Sequence, residues 1–203
     1  KEIIDFFSAP YTGVTAFHIT LEIVAVFFGI TSVLYAKKEN IWVFPTGIIS
    51  TVLYVYICYQ FTLYGDMIIN LYYTLMSFYG WYVWNHKTSG QSIEITTSNP
   101  LDMLKALGIF ITTAAFVVGV YLYYDRFDRI TDYFDTFTSG IFFAGMWLMA
   151  HKKIEHWMFW ILGNLISIPL YFVKGLGFSG LQFTIFFVLA IQGYIEWKKH
   201  LNK

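Results

Sequence analysis

The stretch "NLYYTLMSFYGWYVW", residues 70–84, decides the fold class, because it is apolar enough to cross a membrane yet carries an asparagine and two tryptophans. A primary amide in hydrocarbon is costly unless it is hydrogen-bonded. Wound as an α-helix, the stretch gathers its polar and indole side chains on one stripe: Asn70, Tyr73, Ser77, Trp81 and Trp84. The stripe is therefore predicted to face protein, water or a ligand, with the remaining surface in lipid.

The composition indicates an integral membrane protein. The chain has 203 residues, of which 57% are hydrophobic, 22% aromatic and 13% charged, and its mean hydropathy is +0.56. The apolar runs are long and do not alternate, which favours a helical bundle over a β-barrel. The formal net charge of zero gives no indication of nucleic-acid binding. A single cysteine, Cys58, excludes a disulfide framework and a thiolate metal cluster within this sequence.

Seven apolar runs predict seven transmembrane helices in an all-α membrane protein, with no cleaved signal peptide expected before the first. Residues 1–15 are predicted to lie along the membrane interface. The polar stretch 86–100 is predicted to be a cytoplasmic linker, and 200–203 a short tail. The predicted spans are about 16–36, 42–60, 65–85, 102–124, 134–150, 155–174 and 179–197.

An internal repeat divides these spans into three, one and three. "AKKENIW" (36–42) matches "HKKIEHW" (151–157) at an offset of 115, and "GWYVW" (80–84) matches "GYIEW" (193–197) at an offset of 113. We therefore predict two parallel three-helix repeats, 16–85 and 125–199, joined by a linking helix at 101–124. In parallel-repeat transporters the substrate site lies near the bilayer midplane between the repeats.

The sixth span carries a second polar and aromatic stripe, formed by Trp157, Trp160, Asn164, Ser167 and Tyr171. Gln182 adds a further amide in span seven, whereas charged residues are absent from mid-span positions, with Glu22 near the outer end of span one the nearest exception. Amides and hydroxyls suit sugar hydroxyls or a carboxamide, and indoles suit a flat or positively charged ring. The stripes therefore predict a site for an uncharged or cationic ring compound.

Each of these features also has a purely structural interpretation. The amides can hydrogen-bond neighbouring helices, and all seven tryptophans lie near the predicted cytoplasmic ends, where an aromatic belt is expected. Trp81 and Trp160 lie one turn deeper than the others. Pro169 inside span six is a hinge on the functional interpretation and a shape-determining kink on the structural one.

The segment "YDRFDRITDYFD", 124–135, is predicted to be an outer loop. Its aspartates would form an acidic stripe if it were helical, able to concentrate cations. Arg126 and Arg129 favour instead a solvated loop whose charges pair with one another. The four aspartates are Asp125, Asp128, Asp132 and Asp135.

The lysine and arginine distribution predicts the orientation in the membrane. Seven spans place nine of the 13 basic residues on the face that carries Lys37, Lys152 and Lys198, and four on the other face. We therefore expect the amino terminus outside and the carboxyl terminus in the cytoplasm.

The motif "WxxWxxxN" in span six (Trp157, Trp160, Asn164), the "YGWYxW" that closes span three (Tyr79 to Trp84) and the three-one-three arrangement resemble the PnuC family of bacterial vitamin transporters. The resemblance covers nearly the whole chain. It implies a fold like that of the SWEET sugar transporters, a homotrimer in the inner membrane among its lipids, and facilitated diffusion of nicotinamide riboside, which is trapped inside by phosphorylation. Thiamine or riboflavin transport is the alternative within the family.

The predicted function is thus transport by alternating access, with no cofactor, no metal and no nucleic-acid partner. A membrane sensor that binds the ligand without passing it is the alternative from another class. An enzyme is disfavoured, because the sequence shows no nucleophile and base pair. The predicted substrate-binding residues are Asn164, Asn70, Trp160, Trp81, Trp157, Trp84, Gln182, Tyr171, Ser77 and Ser167.

Overall fold

A computed structural model describes residues 12–61, 64–88, 91–123, 130–173 and 177–201. Within these ranges the chain forms seven long helices, which confirms the predicted all-α fold of three, one and three helices. The helices are α1 (Ala16–Lys37), α2 (Val43–Gln60), α3 (Tyr64–Asn85), α4 (Pro100–Tyr123), α5 (Ile130–Ala150), α6 (His156–Val173) and α7 (Gly177–Leu201).

The helices are long enough to cross a bilayer. Four of them, α1, α2, α4 and α6, also meet the hydropathy expected of a membrane span. The other three, with 22, 21 and 25 residues, are equally long but more polar. Their polarity is consistent with helices that face one another as well as lipid.

The segment between spans four and five differs from its prediction. Helix α5 begins at Ile130, so Asp132 and Asp135 lie in its first turns and not in a solvated loop. Asp132 is buried. The prediction for Asp125 and Asp128 falls outside the described residues, as does most of the predicted interfacial segment.

Equivalent helices of the two repeats are separated by a constant shift of 113 residues. This shift converts the bounds of α2, Val43–Gln60, into those of α6, His156–Val173, and carries the start of α3 onto the start of α7. The predicted offset of 115 across the first turns was therefore wrong. An offset of 115 aligns the two "KK" pairs by residue identity. The backbone instead makes Glu39 equivalent to Lys152, since these two residues both have positive φ, 55° and 50°.

Helix contacts join the two repeats into a closed ring. Neighbours around the ring are α1, α2, α3, α5, α6 and α7, and α7 packs back against α1. Each repeat thus places its first helix against the third helix of the other, as a pseudo-two-fold axis through the ring requires. Helix α4 lies outside the ring, against α5.

One end of the ring is rich in lysine, and we call it the lysine-rich end. It consists of the α1–α2 turn (38–42), the described parts of the linker (86–88 and 91–99) and the α5–α6 turn (151–155). The linker contains a hairpin of β1 (Lys87–Thr88) and β2 (Gln91–Ser92). Beyond it, Thr96 exchanges backbone hydrogen bonds with the α5–α6 turn, donating to the Lys152 carbonyl at 3.1 Å and accepting from the Ile154 amide at 3.0 Å. The linker therefore closes this end of the second repeat.

An ion pair connects the two repeats at the same end. The Lys152 ammonium lies 2.6 Å from a carboxylate oxygen of Glu39, with side chains 8% and 26% exposed. The same ammonium lies 4.5 Å from the centre of the Trp84 ring. Because Glu39 and Lys152 are equivalent positions of the two repeats, the pair lies where the pseudo-two-fold axis leaves the ring.

Candidate functional site

Helices α2 and α6 present equivalent stripes toward the interior of the ring. Their outward faces correspond at the 113-residue shift, since three exposed residues of α2 (Ile49, Val52, Tyr59) have exposed counterparts in α6 (Leu162, Leu165, Phe172). The opposite face of each helix therefore points inward. It carries Gly47, Tyr54 and Cys58 in α2, and Trp160, Ser167 and Tyr171 at the equivalent positions of α6.

Three predicted site residues are buried polar groups without a hydrogen-bond partner among the described residues. Asn164 is 4% exposed, Ser167 1% and Ser77 4%. Other buried hydroxyls of the ring are bonded, for example Ser50, which donates to the Ala25 carbonyl at 2.7 Å. The polar groups of Asn164, Ser167 and Ser77 are therefore suited to bind a ligand that brings its own donors and acceptors.

Trp160 provides an aromatic surface on the same helix as Asn164 and Ser167. Its indole packs over Gly145 of α5, whose missing Cβ would lie 2.8 Å from the ring, and meets the His156 ring edge to face at 5.0 Å. Trp160 is one helical turn before Asn164, so a flat ring lying on the indole has its edge within reach of the amide.

Gln182 and Tyr171 belong to the half of the ring away from the lysine-rich end. Gln182 of α7 lies next to Tyr54 of α2, so these two helices approach each other there. Tyr171 packs against Phe183 at 4.7 Å between ring centres. Beside them, Tyr72 of α3 stacks on Phe143 of α5 at 3.7 Å. Aromatic side chains therefore surround this half of the ring interior.

Asn70 and Trp81 lie on α3, which does not neighbour α6 in the ring. Asn70 is in the second turn of α3, whereas Asn164 lies midway along α6. The two asparagines are not equivalent either, because the repeat shift pairs Asn164 with Thr51 and Asn70 with Phe183. The stripe of span six is therefore not the repeat counterpart of the stripe of span three. Trp81 is partly buried and packs against the core of the lysine-rich end.

Trp84 and Trp157 form part of an aromatic core at the lysine-rich end. Trp157 meets Trp197 at 5.8 Å with an interplanar angle of 86°, and in the first repeat Phe44 meets Trp84 at 5.0 Å and the same angle. These are equivalent pairs, each packed over an equivalent glycine, Gly193 or Gly80. The indole nitrogens of Trp84 and Trp157 are enclosed and have no hydrogen-bond partner among the described residues.

Sequence reasoning missed the first repeat's contribution to the interior. The Thr74 hydroxyl donates to the Thr51 hydroxyl at 2.7 Å, and Tyr54 occupies the position equivalent to Ser167. The correct repeat shift was the signal that would have found them, because it projects Asn164 onto Thr51 and Ser167 onto Tyr54.

Comparison with known proteins identifies the family. The family model described as "nicotinamide mononucleotide transporter" matches residues 19–199. The chain belongs to this family. The nicotinamide riboside transporter PnuC of Neisseria mucosa is 30% identical over 191 residues, which cover 89% of this chain and 72% of that protein. PnuC of Escherichia coli is 24% identical over 206 residues, which cover 87% and 84%.

A solved structure shares the fold. The crystal structure of the vitamin B3 transporter PnuC matches with a TM-score of 0.70 and 23% sequence identity, over 98% of this chain and 89% of that one. Members of this transporter family are multi-pass membrane proteins, and the chain is a transporter and not an enzyme. The resemblance inferred from the tryptophan and asparagine motifs is therefore confirmed.

Proposed function

We propose that this protein carries nicotinamide riboside across the bacterial inner membrane by facilitated diffusion. The relatives named as nicotinamide riboside transporters support this substrate. The observation that carries the proposal is a set of buried, uncharged polar groups that have no side-chain hydrogen bond among the described residues: Asn164 and Ser167 on the helix of Trp160, and Ser77 on α3. The riboside has a flat cationic ring, a carboxamide and sugar hydroxyls, which match an indole face, an amide and serine hydroxyls respectively.

The charge distribution favours the riboside over its phosphorylated form. Phosphate recognition uses arginine or lysine, and the sequence has neither between Val43 and Asn85, nor between Ile154 and Val173. A mononucleotide would therefore leave its phosphate uncompensated in this ring. Trp160 and Asn164 are proposed to hold the ring and its carboxamide, and Ser167, Gln182 and Tyr171 to support them.

The remaining predicted residues are proposed to line the route on either side of this site. Asn70 lies toward the end away from the lysines, whereas Trp81 lies toward the lysine-rich end. Trp84 and Trp157 are proposed to form the wall between the site and that end, because both lie in the aromatic core there.

The pseudo-two-fold ring suggests how access alternates. Opening toward the lysine-rich end requires the two repeats to separate at the Glu39–Lys152 ion pair. Opening toward the other end requires separation near Tyr54 and Gln182. Uncharged side chains line the inward stripes of α2 and α6, so we expect uptake without coupling to protons or sodium.

We also propose an orientation and an assembly. The excess of lysines supports a cytoplasmic location of the lysine-rich end and the carboxyl terminus, with the amino terminus outside. The family resemblance supports a homotrimer with one pathway in each subunit, surrounded by membrane lipid. The mass of the purified protein in detergent, measured by light scattering, tests the assembly.

Purified protein reconstituted in liposomes tests the proposed transport. Labelled nicotinamide riboside is expected to equilibrate across the membrane at a rate that neither a proton gradient nor a sodium gradient changes. Vesicles with the Asn164→Ala variant control for leakage. Binding of the riboside without entry would favour a membrane sensor, and entry of thiamine or riboflavin in its place would favour transport of another vitamin.

A further inference from the structure

His156 is the first residue of α6 and lies one helical turn before Trp160, on the same face of the helix. Its side chain is fully buried, with 0% of its surface exposed. The two rings meet edge to face, with their centres 5.0 Å apart and an interplanar angle of 85°. His156 therefore extends the polar and aromatic stripe of α6 by one turn toward the lysine-rich end.

The start of α6 fixes the orientation of the His156 ring. Its Nδ1 lies 2.7 Å from the Lys153 carbonyl oxygen, and because a carbonyl oxygen can only accept, Nδ1 carries the proton. The backbone N–H of His156 donates to the same carbonyl at 3.1 Å. The other ring nitrogen, Nε2, is enclosed and has no hydrogen-bond partner among the described residues. The ring is thus held through one nitrogen.

Trp197 also fixes the His156 ring. The centres of these two rings lie 4.7 Å apart, at an interplanar angle of 68°. The Trp197 indole N–H in turn donates to the Ala36 carbonyl at 2.9 Å. Ala36 belongs to the first repeat and Trp197 to the second. Both repeats therefore help to place His156, through contacts that do not involve Trp160.

Two neighbours confine the Trp160 indole, which is itself only partly buried. A Cβ at Gly145 of α5 would lie 2.8 Å from the indole nitrogen, so the indole packs directly against the glycine backbone. His156 meets the same indole from within α6. A side chain whose orientation is fixed before a ligand arrives loses less conformational entropy on binding. The contact with His156 therefore prepares the indole for a ligand.

We propose that His156 is a positioning residue for the substrate, which holds the Trp160 indole in the orientation that contacts the nicotinamide ring. His156 itself does not touch the substrate. This inference rests on the proposed function and deepens it, since it assigns part of the affinity to a residue that acts through another side chain.

A double-mutant cycle tests this role, with calorimetric binding of nicotinamide riboside to the purified protein. His156→Ala is expected to weaken binding about fivefold when the Trp160 indole is present, as the loss of one aromatic contact predicts. In the Trp160→Ala background the same substitution should change the affinity hardly at all. His156→Phe, which keeps an aromatic ring, should retain part of the affinity that His156→Ala loses.

His151→Ala is the matched control. The His151 Nδ1 also lies close to a backbone carbonyl, that of Trp147 at 2.9 Å, and its ring packs on the Trp147 indole at 4.3 Å. Since Trp147 is not among the proposed site residues, His151→Ala should leave riboside affinity unchanged.

Melting temperatures show whether each variant folds, and His156→Phe repeats the cycle should His156→Ala not fold. An equal loss of affinity with and without the Trp160 indole would overturn the positioning role while the unmutated protein still binds the riboside. Failure of the unmutated protein to bind the riboside would overturn the proposed function, and this inference with it.

Discussion

The two repeats share a backbone and differ in how their polar side chains are satisfied. In the first repeat, Ser50 and Thr51 are hydrogen-bonded within the repeat, Ser50 to the Ala25 carbonyl and Thr51 to Thr74. The equivalent positions in the second repeat hold Gly163 and Asn164, and the Asn164 side chain has no such bond in the described structure. Internal pairing therefore stabilises the first repeat, whereas the second keeps an amide available.

Packing between the first two helices of each repeat differs in the same way. Gly29 meets Ser50 and Ser32 meets Gly47 in the first repeat, whereas Phe142 meets Gly163 and Trp160 meets Gly145 in the second. Each of the four contacts pairs a glycine with a larger side chain, which is a serine in the first repeat and an aromatic residue in the second. The same backbone can therefore form either an interface of small, hydrogen-bonded side chains or an interface of aromatic side chains, provided that a glycine faces each large side chain.

Removing the indole from the second repeat should have the largest effect. Trp160→Ala leaves a cavity over Gly145 and is expected to lower the free energy of unfolding by about 3 kcal/mol, and riboside affinity about tenfold. Trp160→Phe should recover part of both. Thermal melts and calorimetry measure the two effects, with the exposed Trp42→Ala as control. Unchanged affinity in a folded Trp160→Ala variant would contradict a ring contact.

Exchanging the equivalent polar residue tests which repeat binds the ligand. Asn164→Thr gives the second repeat the first repeat's side chain and is expected to weaken riboside binding by about tenfold or more, because the carboxamide loses an amide partner. Stability should fall little, since Asn164 has no protein partner to lose in the described structure. Asn85→Thr, at an exposed asparagine that ends α3, serves as control. Wild-type affinity in Asn164→Thr would show that the amide does not contact substrate.

The ion pair between the repeats tests whether they are coupled at the lysine-rich end. Glu39→Gln leaves the Lys152 ammonium buried without a carboxylate and is expected to lower the free energy of unfolding by about 1–2 kcal/mol. The exchanged double variant, Glu39→Lys with Lys152→Glu, should recover part of that loss. Glu196→Gln, in an exposed pair with Lys199, should leave stability unchanged. Additive losses in the double variant would show that the two residues do not interact.

The smallest effect is expected at the satisfied pair of the first repeat. Thr74→Val removes the hydrogen bond to Thr51 at nearly constant volume and should lower the free energy of unfolding by about 1 kcal/mol. Riboside affinity should not change, because this hydroxyl already has a protein partner. A large loss of affinity from Thr74→Val would erase the distinction between the repeats.

Much of the architecture was predictable from local patterns. The apolar runs predicted the helices. The polar stripe of span six contains Asn164 and Ser167, which are buried and have no side-chain hydrogen bond among the described residues. The repeat was also visible, but its offset in the first turns was misjudged because two lysine pairs match by identity. The residues that are equivalent between the two turns are defined by backbone conformation, namely the positive φ at Glu39 and Lys152. Residue identity does not reveal this correspondence.

The roles of the tryptophans were less predictable. Trp84 and Trp157 are buried within the aromatic core of the lysine-rich end, whereas Trp160 is only partly buried at the edge of that core and packs over Gly145. Their separation depends on which helix each one faces. A single-helix stripe specifies a direction but not the neighbour that lies there.

By itself, the sequence determined that this chain crosses the membrane as seven helices, because a backbone in lipid must satisfy its hydrogen bonds within each segment. It also determined that the inward-facing groups are amides, hydroxyls and indoles, because the chemistry of a side chain follows from residue identity alone. Only the tertiary structure decided which of these groups remain without a partner. That property depends on distances between helices far apart in the chain, such as the 2.7 Å between the hydroxyls of Thr74 and Thr51.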